Sequence, residues 1–203
     1  MSNSFVNIDS NVKEDGNILL NSSKSIFNDS FYFQDIFNMS EYRKLIKNAE
    51  RLIRRSKEYT AYLGMIKNKY EDLNRDNVLS NIDSSDAEIE MHHYPLSLYD
   101  ICDTVASHRI FHKIKLTTFS LAKEVMECHF KNIVGLVPLS RTLHELAHTN
   151  NLFISKDQVF GNYKRFLEEY KNGIPSDIST KMKLFIKNSE SSVSSDVRGL
   201  FDD

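Results

Sequence analysis

Residues 88–95 read "EIEMHHYP" and residues 135–148 read "GLVPLSRTLHELAH"; together they hold four of the chain's seven histidines. The first is an alternating apolar run that reads as a strand, closed by Pro95, which has no N–H to give to a ladder. Successive strand side chains point to opposite faces, so His92 and His93 divide between them. One can bind a metal while its neighbour faces the attacking water. The second stretch finishes a strand candidate, "IVGLV", stopped at Pro138, and continues through "PLS" into a short helix. His144 and His148 lie four apart there, on one helical face within reach of a common ion. The order is a strand ending in two histidines, a second strand, then a helix carrying H-x-x-x-H.

Working outward, 203 residues allow one domain with a sizeable core, and 40% hydrophobic with 27% charged residues is ordinary globular composition. No apolar run approaches the roughly 18–20 residues of a membrane span, and the start "MSNSFVNIDSNVKEDG" shows no secretory pattern. Cys102 and Cys128 form no CxxC pair and read as reduced thiols, so the expected location is cytoplasmic, in the host if the chain is phage-encoded. The net charge of −2 argues against wholesale coating of nucleic acid. Its distribution is uneven: residues 41–70 carry nine Lys or Arg against three Glu, a surplus able to attract a phosphate backbone. Lys44, Arg51, Arg54 and Arg55 are the candidate contacts there, joined by Arg141 at the start of the histidine-bearing helix.

The chain divides into a Ser/Asn/Asp-rich flexible arm over 1–38, a helical domain over 39–188 and a flexible polar tail over 189–203. Within the domain, the expected site covers about 76–95 and 132–150. Ser40 is the expected cap of one long helix from 41 to about 72, weakened at Gly64. "NVLSNID", "SSD" and "AEIEMHH" read as a hairpin ending in the two histidines. Helical spacing recurs over 97–114 and 118–132, in a Ser155–Gln158 capping box opening a helix that Gly173 ends, and in a helix capped by Ser176.

The "EMHHYPL" and "GLVPLSRTLHELAH" motifs resemble those of the HNH, or His-Me finger, endonucleases. They are most similar to the cysteine-free, colicin-type DNase branch. The arrangement also resembles that of uncharacterised proteins of large bacteriophages. The resemblance covers about 88–94 and 132–149. It implies His92, His144 and His148 as ligands of one divalent ion, and His93 as the general base. The family Asn that orients the base falls on Gly135, a departure, with Asn132 three residues earlier. Residues 96–131 would be a helical insertion.

The residue types suit that chemistry. Phosphodiester hydrolysis needs a base with a pKa near neutrality and positive charge at the scissile phosphate. The expected cofactor is one divalent ion, zinc, nickel, manganese or magnesium, and three imidazoles with an open position suit zinc, nickel or another transition metal better than magnesium. A competing motif overlaps: "HELAH" is H-E-x-x-H, the zinc metalloprotease signature, with Glu145 as base and Glu168 or Glu169 as third ligand. A further alternative is a phage adaptor that keeps the scaffold without cutting. It would bind DNA, or a polymerase or sliding clamp through Leu200 and Phe201 in the tail. The expectation is therefore a mostly helical α+β protein with a ββα-metal core, a helical insertion and flanking helices. Its expected activity is DNA hydrolysis, with no membrane contact.

Overall fold

The computed structural model describes residues 30–31, 38–149 and 151–198. Most of the proposed arm, and the apolar pair at 200–201, lie outside the described residues. The fold is α+β and mostly helical, as expected.

Helix α1 (Met39–Arg55) buries Leu45, Ile46, Ala49 and Ile53 along one stripe. Asn38, rather than Ser40, caps it: the Asn38 side chain accepts from the Ser40 and Glu41 amides. The long helix expected over 41–72 is broken at Ser56, not weakened at Gly64. Ser56 adopts extended backbone, donates its hydroxyl to Ile53 O at 2.9 Å and accepts from Tyr59 N at 3.0 Å. One side chain thus closes α1 and opens α2 (Lys57–Lys69), because a serine offers the backbone an alternative to the helical ladder. A turn over Glu71–Asn74 follows.

Strand β2 (Ile89–His93) is the expected strand, but its partner is not 77–83. That segment folds as a loop held by an isolated Arg75–Asp83 bridge. The partner is β4 (Leu136–Ser140), which pairs antiparallel with His92 opposite Val137 and Met91 opposite Pro138. The choice follows burial: every residue of β4 is buried, whereas 77–83 is largely Asn, Ser and Asp. Pro138 does not stop the strand. It occupies a position whose backbone faces away from β2, so its missing N–H costs no ladder bond, and its carbonyl accepts Asn77 N at 2.9 Å.

Between the two strands lies the inserted helical pair, α3 (Leu98–Phe111) and α4 (Thr118–Phe130). Each begins with a capping box, Ser97 with Asp100 and Thr117 with Ser120. The short strand β3 (Leu116–Thr117) joins them and pairs with β1 (Ser30–Phe31), the described piece of the N-terminal arm. After β4 come α5 (Arg141–His148), α6 (Tyr163–Glu169) and α7 (Ser176–Arg198). The Ser155–Gln158 box forms but opens only a 3-10 turn; α6 starts later, capped by Asn162. Helix α7 starts at Ser176 as expected and continues past Asn188 to Arg198. The main core lies where α1 packs on α3 and α4, and a smaller one under β4 gathers Val137, Leu139 and Ile154.

Candidate metal centre

Strand alternation puts Glu90 and His92 on one face of β2, and Met91 and His93 on the other. Helix α5 starts at the residue after β4 ends, so it folds directly back over β2. The junction is clamped by Asp76, whose buried carboxylate accepts the Ser140 amide at 2.6 Å and the Val78 and Leu79 amides at 2.8 Å each. Burial opposes the charge on Asp76, but these hydrogen bonds outweigh it and hold its carboxyl below the ordinary carboxylate value.

This geometry brings together the three histidines that the motifs singled out. Ring centroids are 5.0 Å apart for His92 and His144, 4.9 Å for His92 and His148, and 4.5 Å for His144 and His148. One nitrogen from each ring lies within 4.8 Å of the others. A tetrahedral ion with bonds of about 2.1 Å holds its nitrogens roughly 3.4 Å apart, so small side-chain rotations close the set. His92 Nδ1 is buried without a hydrogen-bond partner, an orphan that a metal would satisfy. Burial, followed by the neighbouring His144 and His148, pushes the His92 pKa down to about 4. Burial and His144 also lower His148, with Glu90 acting in the opposite direction. Such rings are neutral at pH 7, the form that binds metal.

Glu90 was not singled out from the sequence. Its Oε2 accepts from His144 Nδ1, the carboxylate–imidazole pairing that orients a metal-bound histidine and leaves Nε2 as ligand. The signal was available: Glu90 is two residues before His92, hence on its face of the strand.

The trio opens onto a cleft of about 210 Å³, also lined by Arg54 from α1, Lys181 from α7, Tyr94 and Leu98. His93 contributes to the lining yet is only 5% exposed. Its ring stacks on Tyr59 and its Nε2 lies 2.9 Å from His129 Nε2. His93 is therefore not a freely exposed base beside the ion, but one side of a buried imidazole pair. At Gly135, where the His-Me finger motif would have Asn, a Cβ would sit 2.0 Å from Tyr94 O, so no side chain fits. Asn132 is not in its place either, because its Oδ1 accepts from Tyr62 OH at 3.2 Å.

A family model described as "Bacteriophage G278-like virion protein" matches residues 2–200. The chain belongs to that family. No curated protein and no solved structure matches it. Membership bears out the phage reading; the sequence analysis did not foresee a family described by its virion proteins.

The protease arrangement is not assembled among the described residues. Glu145 is exposed and lies 3.7 Å from Arg141, and among the described residues the third imidazole of the cluster comes from His92 upstream. Glu169 instead pairs with Arg165 at 2.8 Å. The basic residues of α1 are exposed, with Lys44, Lys47, Arg51 and Arg55 at helical spacing along one stripe. Lys44 is 3.7 Å from Glu41, and Arg54 bonds Glu50 at 3.0 Å while reaching the cleft. Arg141 sits on the exposed start of α5. No helix among the described residues is long and apolar enough to cross a membrane.

Proposed function

We propose that this virion protein is a metal-dependent phosphodiesterase that acts on DNA, travelling with the particle and working in the host cytoplasm. The observation that carries the reading is the convergence of His92, His144 and His148 on one point, at the mouth of a cleft flanked by two cations. Bound there, a zinc, nickel or manganese ion would stabilise charge on the phosphate as a Lewis acid. Arg54 and Lys181, which pair with Glu50 and Asp100, turn to seat the phosphodiester, and the stripe ending at Arg55 tracks the backbone beyond it. His93 takes one proton from a water as its oxygen bonds to phosphorus. The bond from phosphorus to the leaving oxygen breaks, and that oxygen takes a proton from solvent.

A second reading is favoured by the burial of His93 and its bond to His129: a virion component in which the metal braces β2 against α5 and the basic stripe holds DNA uncut. Metal analysis of the purified full-length protein and a plasmid-nicking assay with manganese, nickel or zinc separate the two. One metal equivalent and nicking, both lost in His144→Ala and neither in Glu145→Ala, is the expected result. A metal-loaded protein that retards DNA but never nicks it refutes the phosphodiesterase in favour of the brace.

A further inference from the structure

Residue 135 has no room for the side chain that would orient His93, yet His93 is oriented. His129, at the end of α4, has its Nδ1 2.8 Å from Val125 O. A carbonyl only accepts, so Nδ1 of His129 carries the hydrogen. His129 is fully buried, and burial pushes its pKa down to about 4 against the weaker opposite pull of the Val125 bond. The ring is therefore neutral and its Nε2 holds a lone pair. The atom facing that lone pair at 2.9 Å is His93 Nε2, which must donate. A neutral imidazole carries one ring hydrogen, and in this buried pair His93 commits its own to Nε2. Its remaining nitrogen, Nδ1, is thus the unprotonated one. Tyr59 holds both rings, stacking on His93 and meeting His129 edge-on at 5.4 Å.

We infer that His129 is the positioning residue of the site: by accepting Nε2–H of His93 it fixes the tautomer in which His93 Nδ1 offers its lone pair to the cleft. The inference rests on the phosphodiesterase reading for its catalytic meaning, but the tautomer itself does not. The helical insertion between β2 and β4 then has a catalytic purpose, because it delivers from α4 what position 135 does not allow. A base held in the wrong tautomer presents N–H where a lone pair is needed.

The test has two arms on the full-length protein. Long-range ¹⁵N–¹H correlation spectra of the metal-free protein at pH 7.5 read each tautomer directly. The expected pattern is His93 protonated at Nε2 only and His129 at Nδ1 only; a hydrogen on His93 Nδ1 overturns the inference, whether or not the protein cuts DNA. In the second arm, His129→Leu should lower kcat for nicking by on the order of 10²–10⁴-fold with KM and metal content unchanged. His129→Gln, which restores an acceptor, should recover most of it. Equal rates for wild type and a folded His129→Leu overturn the positioning role. A wild type with the expected tautomers and no nicking supports the inferred arrangement and refutes the phosphodiesterase reading instead.

Discussion

The buried pair of His93 and His129 makes the fold acid-sensitive in a calculable way. His129 has a pKa near 4 in the folded chain because burial disfavours its charge, against about 6.5 when unfolded. Between those values the unfolded state binds more protons, so stability rises with pH; it is complete above about 6.5 and is lost as the pH falls towards 4. For these two values, lowering the pH from 7.5 to 5 costs about 2 kcal/mol through His129 alone. His93, and in metal-free protein His92, add to the loss with the same sign, since burial lowers both. Urea denaturation in chelator at the two pH values measures the total. His129→Gln, which cannot take up that proton, should lose about 2 kcal/mol less across the same interval. Identical pH dependence in wild type and His129→Gln would show that the ring is not held neutral by the fold and would refute the reasoning.

Other predictions address the remaining parts of the site. Asp76→Ala removes an acceptor from three backbone amides and should destabilise the protein by roughly 3 kcal/mol, read as a lowered denaturation midpoint. Glu90→Gln should weaken metal affinity about 10–100-fold by isothermal titration while leaving the fold intact, because the ring of His144 loses its charged partner. Gly135→Asn should not supply the Asn of the His-Me finger motif; the collision with Tyr94 O should instead lower the thermal midpoint and, with it, any nicking. If α1 tracks DNA, each of Arg51→Ala and Arg54→Ala should reduce the slope of log affinity against log salt by about one, measured by fluorescence anisotropy.

Sequence spacing placed His144 and His148 on one face and divided His92 from His93, because strand alternation and an i, i+4 helical pair are local geometries that do not depend on the rest of the fold; it was the motif resemblance that chose His92 as the third member. Spacing also carried the inserted helical pair, whose periodicity is written in adjacent residues. It failed wherever partners compete across distance. The strand partner of "EIEMHH" was assigned to the nearest polar segment, whereas burial of the whole of β4 decided the pairing. Pro138 was read as a stop, because only the register shows that its backbone points away from β2. Lys181 and His129 carried no local signal strong enough to be selected, and Glu90 only its place two residues before His92; each meets its partner only when a distant element packs against it. Local chemistry thus determined which side chains can meet an ion. Tertiary packing decided which of them come together, by burying His93 against His129 and closing position 135 with the backbone of Tyr94, since the space available to a side chain belongs to its neighbours and not to its own stretch of chain.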